Sequence, residues 1–347
     1  MIMLVLLAAC GSDSLTPVTG CKAVGDMTPD CRFQNPEDLA LIPGSQTVII
    51  SQFGAMEGTV PGSLATLDLQ TNQITKLFPV AHADDRSWGT PNCSPPDQAT
   101  FAPHGIDLER LTDGRLMLLV VNHGNRESIE FFEIITSTSD TTAIWRGCVE
   151  GPPEAYFNDV VAARNGGFWV THMMPRDGAT WALLKASLFG SDSGHVYSWQ
   201  AHEGFKVVPG SHGPMPNGIE KSEDEDLLYI NMYMAGEIRK LDLATGKVVG
   251  TALAQGPDNA TWSSDGYLLV ASHVDSFTEL TRCQSIESGA CGFTYEIVQI
   301  NPANMQLKTL LQHSGAPLGG VTVALAVDDE LILGTFAGDR IVRTPIP

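Results

Sequence analysis

Short apolar runs recur along the chain, each closed by polar turn residues. TVIIS (47–51), RLMLLVVNH (115–123), GGFWVTH (166–172), DLLYINMY (226–233), GYLLVASH (266–273) and ELILGTF (330–336) return every 40 to 70 residues. Near-continuous apolar runs of this length predict strands buried on both faces. Between them, SLATLDLQTNQITKLF (63–78), GEIRKLDLATGKVVG (236–250) and YEIVQINPANMQLKTLL (295–311) break at polar turns and predict outer hairpins. A period of this length with four strands per unit is the signature of a β-propeller, in which each blade buries its faces only against its neighbours. Six units predict an all-β, six-bladed β-propeller around a central channel. A two-sheet sandwich or two small β domains is the alternative, and the apolar runs suit it less well. TWALLKASLFG (180–190) is the one helical stretch, expected as a surface insertion capping one face of the ring.

Length leaves the domain count open at 347 residues, and the repeats decide for one ring. With 43% apolar residues, 34 Gly and 21 Pro the chain is a turn-rich globular protein with a large core. Forty acidic residues against twenty basic give a formal charge of -20, which repels phosphate backbones and anionic lipids while attracting cations. Nucleic acid is thereby set aside as a partner.

The chain begins MIMLVLLAAC, an apolar run too short to span a membrane and shaped like an export signal. Its LAAC resembles the lipobox of bacterial lipoproteins, so Cys10 is expected to carry lipid, with residues 1–10 as the signal, 11–30 as a flexible tether and 31–347 as the propeller. That implies export to the bacterial periplasm or outer membrane, with membrane contact through the anchor alone. No Lys or Arg precedes the run, so a plain secretory signal or a different start codon stays open. Six cysteines remain, an even number suited to an oxidising compartment. Cys21 with Cys31 and Cys283 with Cys291 would close short loops, leaving Cys93 with Cys148; buried free thiols are the alternative. None has CxxC spacing, which argues against zinc.

A scattered set of oxygen donors stands beside the strands: Glu37 and Asp38 in NPEDLALI, Asn158 and Asp159 in YFNDVVAA, Asn217 in PMPNGIEKS, and Asp258 and Asn259 in GPDNATWSSDG. Each is read as lying in a turn just before an apolar strand, and corresponding turns of a propeller converge on its channel. Carboxylate and amide oxygens are hard donors that favour calcium. Glu37 and Asp258 with neutral Asn158, Asn217 and Asn259 balance one divalent ion; Asp38 and Asp159 with a backbone carbonyl balance a second. Adjacent residues of an extended chain point in opposite directions, so one segment can serve two stacked ions. Any single Asn-Asp pair is more often a plain turn residue, and it is the recurrence that carries weight.

The ordered segments FAPHGI, LMLLVVNH, ESIEFFEI, FNDVVA, PNGIE, PDNA, LLVASH and GGVTVALAVDDELILGTF resemble the paraoxonase/arylesterase family, calcium-dependent six-bladed propeller lactonases related to the gluconolactonase group. The resemblance runs from about Cys31 to the C-terminus. It implies two calcium ions: a catalytic one on Glu37, Asn158, Asn217, Asp258 and Asn259, and a structural one on Asp38, Asp159 and the carbonyl of Ile106. It further implies His104 as the base for a hydrolytic water, His123 as the group that orients it, and His273 as a pocket histidine. The family's vertebrate members join first and last strands by a disulfide, but DRIVRTPIP at this C-terminus holds no cysteine, so ring closure falls to strand pairing. Met173 and Met174 stand where the family tends to place polar residues, which implies a different pocket wall.

The expected activity is hydrolysis of lactones and aryl esters, with phosphotriesters as promiscuous substrates. A sugar lactonase of the gluconolactonase type and a non-catalytic, calcium-stabilised binding propeller are the competing readings. The chain has no GxSxG elbow, HExxH or phosphate-binding Gly-rich loop, which excludes the common serine hydrolases, zinc proteases and nucleotide enzymes.

Overall fold

The computed structural model describes residues 17–55, 59–77, 80–81, 88–91, 93–137, 141–283, 286 and 288–347. Entering on Thr28–Asp30 (β1), the chain builds its first blade from Pro36–Leu41 (β2), Thr47–Gln52 (β3), Ser63–Asp68 (β4) and Ile74–Leu77 (β5). Val80–Ala81 (β6) pairs in parallel with the outer strand of the second blade, which comprises Pro103–Arg110 (β7), Leu116–Asn122 (β8), Ser128–Thr136 (β9) and Thr141–Glu150 (β10). The third blade is Phe157–Ala162 (β11), Phe168–His172 (β12), His195–Gln200 (β13) and Gly204–Val207 (β14), with helix Ala179–Phe189 (α1) inserted between β12 and β13. Pro216–Lys221 (β15), Leu227–Met232 (β16), Glu237–Asp242 (β17) and Lys247–Leu253 (β18) form the fourth. The fifth holds Pro257–Trp262 (β19), Leu268–His273 (β20), Tyr295–Ile300 (β21) and Leu307–His313 (β22), with helix Phe277–Cys283 (α2) between β20 and β21. Val321–Val327 (β23), Glu330–Thr335 (β24) and Ile341–Pro345 (β25) make the sixth, completed by β1 antiparallel to β25.

The chain is thus the expected six-bladed propeller, and the six apolar runs are the second strands β3, β8, β12, β16, β20 and β24. Their near-continuous hydrophobicity follows from position: each is covered on both faces by adjacent blades. Leu118 and Phe132 pack with Ile49 and Leu64 between blades one and two, and Phe131 and Val149 pack with Val160 and Val170 between two and three. The pattern missed α2, whose two turns are too short to show a period. At its start the Glu279 carboxylate reaches back as in one half of a capping box, accepting from the Ser276 backbone N (3.1 Å) and hydroxyl (2.8 Å).

The expected tether is part of the fold over its described portion. β1 lies before residue 31, Val18 bridges to Ala290, and the buried Arg340 guanidinium donates to Gly20 O (2.6 Å) and Val18 O (2.9 Å). The sequence hides this because TPD reads as a turn, and its strand character comes from pairing with β25. Cys21–Cys31, Cys93–Cys148 and Cys283–Cys291 are disulfide-bonded. Cys10 lies outside the described residues, among which no helix is long and apolar enough to cross a membrane.

Candidate functional site

Every innermost strand slips by a bulge against its second strand. The register shifts between Pro36 and Asp38, Pro103 and Ile106, Phe157 and Val160, Pro216 and Ile219, Pro257 and Ala260, and Val321 and Val323. A bulge leaves residues unpaired and re-aims their side chains. Here it turns Glu37, His104, Asn158, Asn217, Asp258 and Thr322, one from each blade, into a single cavity of about 320 Å³. The expected placement of the oxygen donors in turns ahead of the strands is therefore corrected: Glu37, Asn158, Asn217 and Asp258 belong to the innermost strands themselves. The polar bulge interrupts the apolar pattern of those strands, so they read as turns.

Two close approaches make this ring possible. A Cβ at Gly105 would lie 2.5 Å from Asp159 Oδ1, and one at Gly218 would lie 2.3 Å from the Asp258 carbonyl oxygen. The blades are also tied by polar side chains. Asp38 Oδ2 accepts from Ile106 N (2.7 Å), Asp107 Oδ2 from Ala162 N (2.7 Å) and Asp159 Oδ2 from Ile219 N (2.9 Å). Asn231 donates to Asp258 O, Thr261 to Ala324 O (2.7 Å) and Thr322 to Glu37 O (2.6 Å), so all six junctions are bridged.

Above the bulge ring, the ends of the second strands supply Phe53, Met173, Tyr233, His273 and Phe336 to the wall. Leu183 of α1 and Leu280 of α2 close over it with Met174 and Met215, so the helical insertion borders the pocket as expected. His123 stands behind His104, its Nε2 2.9 Å from His104 Nδ1, and Phe53 stacks on the His104 ring at 4.8 Å. His104 Nε2 faces Glu37 Oε1 at 3.6 Å. Burial, then the charge of His123, pushes the His104 pKa well below the usual imidazole range. On the opposite side His273 Nδ1 lies 3.0 Å from the Tyr233 hydroxyl and 3.6 Å from Asp258 Oδ2, and burial lowers its pKa to about 4.

The floor is short of positive charge and hydrogen-bond donors. Asn158 donates its amide to Met173 Sδ (3.4 Å), Asn259 to Glu37 Oε1 (2.8 Å) and Asn217 to Asp258. That leaves the amide oxygens of Asn158, Asn217 and Asn259, with Glu37 Oε2, buried and unpartnered. Burial, then the charges of Asp38 and Asp258, raises the Glu37 pKa well above the carboxylate range, and burial does the same to Asp258. Unpartnered buried oxygens cost stability unless an ion or donor meets them. Amide and carboxylate oxygens converging from separate strands fit calcium. Among the described residues no group of three or more His, Cys, Asp or Glu is placed to hold a metal alone, and the set is rich in amides instead.

Asp38, Ile106 and Asp159 line a second cavity of about 270 Å³ with Asp107 and Glu220. Glu37 and Asp38 thus face different cavities, as do Asn158 and Asp159, as strand alternation requires. Asp38 and Asp159 differ from the first set because every carboxylate oxygen accepts a backbone N–H. Burial still raises Asp38 to about 7 and Asp159 well above its usual range, the latter aided by the charge of Asp38. Two buried like charges at close quarters also fit a cation. Sequence reading missed Thr322, the sixth bulge residue, which has no carboxylate or amide to mark it. It missed Glu127 as well, although that residue follows His123 by four.

A sequence-family model described as Arylesterase matches residues 30–341. Among solved structures the chain is similar to a luciferin-regenerating enzyme, at 14% identity and TM-score 0.53 over 90% of this chain and 92% of that one. A gluconolactonase from Xanthomonas campestris is similar at 16% identity and TM-score 0.51 over 95% and 94%. At these identities the likeness is one of fold. No curated protein matches.

Proposed function

The chain belongs to the arylesterase (paraoxonase) family, and from that premise we propose that it is a calcium-dependent hydrolase of lactones and aryl esters. The observation that carries the reading is the convergence of three unpartnered oxygens, from Glu37, Asn158 and Asn217, and a buried, neutral imidazole on one apolar pocket, with Asn259 bonded to Glu37 beside it. Glu37, Asn158, Asn217, Asp258 and Asn259 would hold a catalytic calcium, and Asp38, Asp159 and the Ile106 carbonyl a structural one. The catalytic ion would supply fixed positive charge where the ester carbonyl oxygen becomes negative.

The chain's own residues supply the proton chemistry and the positioning. His104 Nε2 takes a proton from water as the oxygen's electron pair bonds the carbonyl carbon, and returns it to the leaving alkoxide or phenoxide when the C–O bond breaks. A depressed pKa keeps that nitrogen unprotonated at neutral pH. His123 holds the ring through Nδ1, Phe53 holds its face, and His273 orients substrate from the far wall. Phe53, Met173, Leu183, Leu280 and Phe336 exclude water and receive the hydrocarbon part of the substrate. A lactone arrives in one ring conformer and needs little further ordering. Phosphotriesters would use the same pocket promiscuously.

The apolar wall separates this reading from a sugar lactonase, whose hydroxyls would lack partners there. The disulfides fit an exported protein, and a lipid on Cys10 would anchor it. The test is a comparison of initial rates on an alkyl-substituted lactone, phenyl acetate and gluconolactone. The reading expects the first two to be favoured. Dominant gluconolactone turnover would move the protein to the sugar lactonases, and no turnover to the binding propellers.

A further inference from the structure

Glu127, in the loop between β8 and β9, lines no part of the pocket, yet its carboxylate sits directly behind the histidine pair. Its Oε1 accepts from Phe157 N (2.6 Å), its Oε2 pairs with Arg176, and both oxygens lie 3.1 Å from His123 Nδ1. The side chain is 7% exposed. Backbone N–H and guanidinium are obligate donors, so both carboxylate oxygens already act as acceptors. His123 Nδ1 must then carry the proton it shares with Glu127. In the neutral ring this leaves the lone pair on Nε2, which can only accept from His104 Nδ1–H across the 2.9 Å contact. The same rule applied to the neutral His104 ring puts its lone pair on Nε2, the nitrogen facing the pocket.

The carboxylate is itself held in place. Arg176 lies over the Tyr156 ring at 5.1 Å, and Tyr156 lines the pocket. Phe157, whose N–H bonds Glu127, directly precedes Asn158. One carboxylate therefore fixes both the polarity of the histidine pair and the start of the strand that presents an unpartnered amide oxygen.

We propose that Glu127, braced by Arg176, is a positioning residue that sets the tautomers of His123 and His104. By keeping the lone pair of His104 Nε2 aimed into the pocket, it readies that nitrogen for the proton transfer of the hydrolase reading. The catalytic part of this rests on the hydrolase reading, whereas the tautomer part does not.

The test pairs nitrogen-15 NMR of labelled imidazoles, without substrate, with steady-state kinetics of Glu127→Gln. A glutamine can present either its oxygen or its amide and has no charge, so it removes the lock with little change of volume. In the unsubstituted protein, protonated Nδ1 and unprotonated Nε2 are expected on both rings. In the variant, the His123 signals should move toward the other tautomer and kcat should fall by at least about tenfold. KM and calcium affinity should stay within about twofold, a split that general loss of structure would not give. An Nε2-protonated His123 in the unsubstituted protein overturns the proposal, and this arm needs no variant to fold. Unchanged tautomers and kcat in the variant overturn it as well. If the unsubstituted protein hydrolyses no ester, the hydrolase reading falls, and the NMR arm alone decides whether Glu127 sets the tautomers.

Discussion

His104 Nε2 lies 3.6 Å from Glu37 Oε1, and the two residues come from the innermost strands of adjacent blades. The proposed base and one of the strongly perturbed carboxylates of the oxygen ring thus share one pocket floor without sharing a hydrogen bond. In the proposed mechanism metal binding and proton transfer fall to different residues, which makes them separable by substitution.

Asn217→Ala removes one unpartnered oxygen and no core packing. Calcium affinity is expected to drop by at least about tenfold, with lactone turnover falling at limiting calcium. His104→Gln is expected to leave calcium affinity in place and lower kcat by about 100-fold. Calorimetric titration alongside kinetics reads both, and equal calcium affinities in the Asn217 variant and the parent would remove that residue from the site.

Gly105→Ala places a Cβ 2.5 Å from Asp159 Oδ1 and 2.6 Å from its Cα, at the contact between blades two and three. Overpacking of this kind costs about 1–3 kcal/mol. Urea unfolding should show that loss, whereas Gly20→Ala, with nothing within 4 Å of its Cβ, should be close to neutral.

Leu183 of α1 lines the pocket and supplies no oxygen donor to it. Leu183→Asn is expected to lower kcat/KM for a long-chain lactone by about tenfold and to affect a short-chain lactone far less, since the loss is one of apolar contact. Equal losses on both would show that α1 does not meet the acyl chain.

His195 lies against the tilted rings of His172 (4.9 Å) and His212 (5.1 Å) at the root of the α1 insertion. Burial, then the like charges of those two rings, pushes its pKa down from 6.5 to about 4. The unfolded chain takes up this proton at a pH where the folded chain refuses it. The contribution of His195 to stability is therefore full above pH 6.5 and lost as pH falls toward 4. His195→Phe keeps a ring against both neighbours and cannot protonate, so its melting temperature should fall less than the parent's between those limits. Parallel curves would contradict the assignment.

The fold was legible because the second strands are covered on both faces and announce themselves as apolar runs. Glu37, Asn158, Asn217, Asp258 and Asn259 were visible as recurring donors, but their place on the innermost strands was not. The bulge that aims them also breaks the strand pattern that would have located them. Thr322 and Glu127 stayed hidden for a different reason: one lacks a distinctive donor, and the other acts through contacts with His123, Phe157 and Arg176 that only folding creates. β1 was lost in the expected tether because three residues paired at a sheet edge carry no period of their own.

The most direct test of the account is the rate of lactone hydrolysis as free calcium is buffered downward by a chelator and then restored. The account predicts that turnover falls to the uncatalysed rate when the ring of Glu37, Asn158, Asn217, Asp258 and Asn259 is stripped, and that it returns on adding calcium. Full turnover by the calcium-free protein would contradict it.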